Sequence, residues 1–139
     1  MSTNVPSPFP AALISNNNLF ASINMGKNSF KLLVIQVNPS FNNFLTLKRH
    51  KKYVLLGLDS TTTISHASIL RATSVLCKLL EILTSYQVPS IHYRLVATST
   101  VRESSNMSQF INSIYEKLGL HVDVLSSSEE ARLIYLGVL

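Results

Sequence analysis

Apolar and polar positions alternate at a strand-like period early in the chain, and a helical period takes over later. Short apolar runs at Phe20–Met25 and Phe30–Val37, and a longer mixed run at Phe44–Leu56, predict three strands. Asn38-Pro39-Ser40 and Asn42-Asn43 supply turn material between them. The third run holds the basic cluster Lys48-Arg49-His50-Lys51-Lys52 and is expected to be interrupted there. Gly57–Thr63 reads as a polar loop. From Ser65 the period changes: Ile69, Ala72, Leu76, Leu79, Leu80 and Leu83 recur three and four apart, so Ser65–Tyr86 predicts a helix. Cys77 sits beside that stripe and is expected to pack with it. Val88-Pro89-Ser90 ends the element. Tyr93–Ala97 then predicts a buried strand, Thr98–Ser105 a polar loop, Met107–Leu118 a second helix stopped by Gly119, and His121–Leu125 a short strand. Ser126, Ser127 and Ser128 offer an N-cap to a helix starting at Glu129 or Glu130, whose carboxylates suit its positive end. Three meandering strands followed by helix, strand, helix, strand, helix predict an α/β fold without internal repeats.

Composition narrows the setting. At 139 residues the chain is one domain or part of one. Hydrophobic residues make up 46% and charged residues only 14%, which is too little charge to cover an ordinary surface. With the apolar end Leu133–Leu139, this points to a piece that packs against further protein. No apolar run approaches the roughly 18–20 residues of a membrane span. The first twenty residues carry no Lys or Arg, so no secretory or transit segment is supported. Prolines and asparagines across residues 1–18 predict a disordered leader. A single Cys77 excludes an internal disulfide and fits a reducing compartment, so a cytoplasmic location is expected. The net charge of +5 favours anionic partners without choosing among them. Lys48–Lys52 reads either as a solvated sheet edge, where lysines block pairing, or as a docking patch for a polyanion.

Three polar loops follow strands: Gly26–Ser29, Thr98–Asn106 and Ser126–Glu130. In open α/β sheets ligands bind where strand ends open into loops. At a hairpin tip, Gly26 allows close backbone approach, and Asn28 and Ser29 add donors, a combination that suits phosphate. Arg102 either forks onto phosphate oxygens or pairs with Glu103 at the surface. Glu129 and Glu130 either match the helix dipole or orient and deprotonate a water. His50, His66, His92 and His121 share no ligand spacing.

These residues carry a resemblance. Ile23-Asn24-Met25-Gly26-Lys27-Asn28-Ser29-Phe30-Lys31-Leu32, Val96-Ala97-Thr98-Ser99-Thr100-Val101-Arg102-Glu103-Ser104-Ser105-Asn106 and Leu125-Ser126-Ser127-Ser128-Glu129-Glu130-Ala131-Arg132-Leu133-Ile134-Tyr135 resemble, in order, motifs of the exopolyphosphatase / guanosine pentaphosphate phosphohydrolase (Ppx/GppA) family. The resemblance implies an actin-like lobe of the acetate-kinase/Hsp70/actin, ribonuclease H-like type, with a mixed sheet flanked by helices. Residues 19–139 are then an N-terminal lobe whose second lobe is absent. The implied activity is Mg²⁺-assisted hydrolysis of a terminal phosphate from inorganic polyphosphate or guanosine pentaphosphate. The implied partners are those compounds rather than a membrane or a specific nucleic acid, with a homodimer in the full-length family. By motif position Glu130 matches the catalytic glutamate, and Gly26, Asn28, Ser29 and Arg102 match phosphate-binding residues. Asn24 stands where the family has a metal-directing Asp, Lys27 where it has a small hydroxyl residue, and Ser127 where it has glycine. A neutral amide is a poorer ligand for a hard cation. The chain is therefore expected to be impaired or inactive alone. The alternative is a non-catalytic phosphate- or nucleotide-binding regulatory module, or a degenerate fragment.

Overall fold

The computed structural model describes residues 16–60 and 62–136. The leader expected over residues 1–15, and the last three residues of the apolar end, lie outside them. Asn16–Asn18, which composition assigns to that leader, form a 3-10 turn that feeds the first strand. Five strands make one sheet: β1 (Leu19–Met25), β2 (Ser29–Asn38), β3 (Asn43–Tyr53), β4 (Tyr93–Ala97) and β5 (Val122–Val124). Their spatial order is β3-β2-β1-β4-β5. The first three pair antiparallel, and β4 and β5 run parallel to β1. The parallel crossovers contain α1 (His66–Ser85), then α2 (Ser99–Arg102) with α3 (Met107–Leu118), and α4 (Ser127–Tyr135) follows β5. Among the described residues no helix is long and apolar enough to cross a membrane.

Register sorts the side chains into two faces, because successive strand residues point to opposite sides. Ile23, Met25, Phe30, Leu32, Val34, Leu95 and Ala97 fall on one face and are buried. Ile69, Ala72, Leu76, Leu79 and Leu83 of α1, with Phe110 and Ile114 of α3, complete that core. The opposite face carries Ser22, Asn24, Lys31, Leu33, Arg49, Lys51 and Arg94.

Local signals account for the helix ends. The Ser65 hydroxyl caps α1 by accepting from the Ser68 N–H at 3.1 Å. Gly119 ends α3 with φ +69°, a left-handed conformation glycine takes without a Cβ penalty.

The structure corrects several expectations. The third strand runs unbroken to Tyr53, not to Leu56, and absorbs its irregularity as a bulge opposite Val34/Ile35. Strand β4 is buried on one face only, with Arg94 exposed on the other. The Thr98–Ser105 loop contains the helical turn α2. Helix α4 begins at Ser127, capped by Ser126, rather than at Glu129 or Glu130. Cys77 is exposed rather than packed. It lies one residue past Leu76, about 100° round the helix, which turns it off the buried stripe.

Candidate functional site

The β1–β2 turn is tight. The Gly26 N–H donates to the Ser29 carbonyl at 3.1 Å, and a Cβ at Gly26 would sit 3.2 Å from that oxygen. The turn's carbonyls are drawn away from the sheet end. Val54 and Leu55 N–H groups donate to the Asn28 carbonyl at 2.8 and 3.0 Å, and Leu56 N–H donates to the Lys27 carbonyl at 2.9 Å. Leu55 takes φ +57° to make this possible, a left-handed conformation costly for leucine. Arg71 of α1 secures the same segment. Its Nε donates to the Val54 carbonyl and its Nη2 to the Leu55 carbonyl, both at 3.0 Å, and Nη2 also reaches the Ser68 hydroxyl at 2.8 Å. With the carbonyls engaged behind, the Lys27 and Asn28 N–H groups are left without a protein acceptor among the described residues.

A pocket of about 340 Å³ opens at this turn. Gly26, Lys27, Asn28 and Ser29 line it, together with Asn24, Lys31, Thr98 and Glu130. The Gly26, Thr98 and Glu130 loops therefore meet. Arg102 stands behind Glu130 rather than at the pocket wall. Its Nη1 donates to Glu130 Oε1 at 3.0 Å and to the Leu125 carbonyl at 2.7 Å, while Glu103 lies 3.8 Å from Nη2. Both Arg102 and Glu130 are about four-fifths buried at the side chain (21% and 25% exposed). Glu129 faces elsewhere and pairs with Arg132 at 2.8 and 2.9 Å, which holds its carboxyl below the ordinary glutamate value.

The departures noted in the sequence have local outcomes. Lys27 lies back along Gly57, its Cε 3.5 Å from where a Cβ on Gly57 would be, and the turn closes regardless. Ser127 has ordinary helical backbone, so no glycine is required there. Asn24 Oδ1 is buried and accepts no hydrogen bond. That unpartnered oxygen favours a donor or a cation. A hard dication, however, needs several oxygens, and anionic ones above all. Here the only anionic side chain lining the pocket is Glu130, which is tied to Arg102; Asn24, Asn28, Ser29 and Thr98 are neutral, and Lys27 and Lys31 bring positive charge. The residues present do not fit a resident Mg²⁺; they fit an anion.

Sequence reasoning missed Lys31, Arg71 and Leu55. Lys31 had a signal, as the lone charge in the apolar run Phe30–Val37. Arg71 and Leu55 had none, because their partners are backbone groups far along the chain.

The model of the Ppx/GppA phosphatase family matches residues 33–139. The chain belongs to the Ppx/GppA phosphatase family. The match takes in Arg102 and Glu130 and begins just after the Gly26 turn. The guanosine-5'-triphosphate,3'-diphosphate pyrophosphatases of two Aliivibrio fischeri strains are 36% identical over 121 residues, covering 86% of this chain and 24% of theirs. An exopolyphosphatase from Cytophaga hutchinsonii superposes with a TM-score of 0.80 at 31% identity, covering 86% of this chain and 38% of that one. The Aquifex aeolicus family member has a TM-score of 0.76 at 24% identity, which bears on the fold alone, and covers 39% of that chain. The five-stranded mixed sheet flanked by helices is the actin-like fold of these Ppx/GppA proteins. The chain spans about a quarter of the length of the curated relatives it matches.

Proposed function

We propose that this chain is the phosphate-binding N-terminal lobe of a Ppx/GppA phosphohydrolase acting on the terminal phosphate of inorganic polyphosphate or guanosine pentaphosphate. One observation carries the reading. Lys27 and Asn28, whose N–H groups have no protein acceptor among the described residues, line a single pocket together with Glu130. The N–H groups and Lys31 hold the terminal phosphoryl oxygens, since several donors at one concave backbone bind an anion. In the completed site Glu130 takes a proton from water as its oxygen attacks phosphorus. The bridging P–O bond breaks, and the shortened chain leaves with the electron pair. Arg102 positions Glu130 through their ion pair and is a positioning residue. Alone the lobe binds without turnover, because Glu130 is committed to Arg102 and Asn24 offers no charge to a metal.

Calorimetry with pyrophosphate tests the binding. The chain should bind it, and Gly26→Val should weaken binding about tenfold, roughly 1.4 kcal/mol, by forcing the turn open. Absence of binding by the unsubstituted chain overturns the proposal. Polyphosphate hydrolysis by the purified chain, lost in Glu130→Gln, overturns its inactivity. A regulatory module that binds without turnover is the second reading, favoured by Asn24. If Asn24→Asp leaves phosphate binding Mg²⁺-independent, position 24 does not direct a metal here.

A further inference from the structure

Asn106 closes the second of the three motif stretches and lies outside the pocket at Gly26. It occupies the N-cap of α3, where an asparagine side chain ordinarily accepts from the N–H of the second or third helical residue. Its side chain makes no such bond. It reaches instead to Ile64, 42 residues back in the chain. Oδ1 accepts from the Ile64 N–H at 2.9 Å, and Nδ2 donates to the Ile64 carbonyl at 2.8 Å and to Gln109 Oε1 at 3.0 Å. Only one orientation of the amide satisfies both groups of Ile64. The Ser105 N–H adds a bond to the Thr62 carbonyl at 2.8 Å. Of the residues that cap helices well, only asparagine offers a donor and an acceptor side by side on one planar group.

The neighbours of Ile64 give this long reach its meaning. Ile64 is buried and immediately precedes Ser65, the cap of α1. Ser68, in the first turn of α1, is fully buried, and its hydroxyl accepts from Arg71 Nη2. Arg71 in turn holds the Val54 and Leu55 carbonyls behind the Gly26 turn. On the other side, Asn106 closely follows α2, whose last residue Arg102 holds Glu130. Asn106 therefore ties the support of the Gly26 turn to the segment that holds the carboxylate. The sheet does not make this tie. The β1–β4 ladder ends at Met25 and Ala97, so the Gly26 turn and the Thr98–Arg102 segment both lie beyond it.

We propose that Asn106 is a positioning residue of the phosphate site: its two bonds to Ile64 hold the Gly26 turn and the Arg102–Glu130 pair in fixed register. The proposal rests on the function proposed above and adds to it a residue outside the pocket. A helix cap is a local device, so any good capping residue would serve if capping were the role. A tie across the molecule needs both ends of the amide.

The test is Asn106→Ser in the intact chain. Serine keeps a cap for α3 but cannot span both groups of Ile64. Pyrophosphate affinity by calorimetry should fall about fivefold, and the Lys27 and Asn28 amide resonances should move in the unliganded protein. Ile114→Val trims the buried face of α3 without touching the tie. It should leave affinity and resonances in place even where its melting temperature falls as far. Ser68→Ala breaks the same route at its other end, so the double variant with Asn106→Ser should bind no worse than the weaker-binding single variant. In the unsubstituted chain pyrophosphate should shift the Asn106 side-chain NH₂ resonances, a readout that stands if Asn106→Ser does not fold. Unchanged affinity in folded Asn106→Ser, an equal loss in Ile114→Val, additive losses in the double variant, or Asn106 resonances that ignore pyrophosphate overturn the tie and leave the Gly26 pocket standing. Failure of the unsubstituted chain to bind pyrophosphate overturns both.

Discussion

The two faces of one sheet do opposite jobs. The face toward α1 and α3 is apolar through Leu19–Met25 of β1 and Phe30–Val34 of β2, giving way to buried Gln36 and Asn38, and Ile23, Met25, Phe30 and Val34 are fully buried. One residue along each strand the sequence turns to Ser22, Asn24 and Lys31, and these line cavities instead. The first face supplies stability through area removed from water. The second supplies little, because Lys31, Arg49 and Lys51 have no carboxylate partner among the described residues, the Arg94–Asp123 pair is exposed, and its apolar residues are only half covered. Stability and ligand chemistry thus reside in alternate residues of the same strands, and a substitution should affect one without the other.

Neighbouring residues of β2 give the sharpest contrast. Phe30→Ala should cost about 3–5 kcal/mol in denaturant unfolding, whereas half-buried Leu33→Ala should cost roughly 1 kcal/mol or less. Equal losses would mean that the open face is packed as tightly as the core. Arg71→Met links the two faces. It strips two hydrogen bonds from the segment that grips the Gly26 turn and one from Ser68, and should cost about 2 kcal/mol. Pyrophosphate affinity should fall with it, and an unchanged affinity would separate the turn from its support. Lys31→Glu separates the jobs in the other direction. Pairing with Lys51 should raise stability by about 0.2–1 kcal/mol while phosphate binding is lost. The smallest effect is on pH dependence. The folded-state pKa of Glu129 is depressed, chiefly by its hydrogen bond to Arg132. Its contribution is therefore present above the unfolded-state pKa and is lost as pH falls through the folded-state value. Glu129→Gln should flatten that acid limb slightly and leave stability at neutral pH almost unchanged.

Most of the architecture was legible because its signals were local. The alternation through Phe20–Met25 and Phe30–Val37 around Gly26 is the hairpin, and α3 ends at Gly119 as its pattern requires. Helix α2 was not legible, since Ser99-Thr100-Val101-Arg102 is too short to show a period. Glu130 and the Gly26 turn were found as candidate site residues, and the fold brings them to one pocket. The Arg102 contact with Glu130 was not, because it joins residues 28 apart whose meeting depends on β4 and β5 lying side by side. The support of the turn by Leu55 and Arg71 was hidden for a related reason: backbone carbonyls leave no trace in residue identity.

The position of β1 also bears on how the protein is made. Of the described strands it leaves the ribosome first, yet it lies at the centre of the sheet. Its pairing with β2 can form early, because a single turn joins them. Its other edge waits for Tyr93–Ala97, some seventy residues later in the chain. Until then the nascent hairpin presents an open, largely apolar edge of the kind that recruits foreign strands. The aggregation risk in this lobe is thus concentrated in the interval of synthesis between β2 and β4, and slowing translation between those strands should raise it.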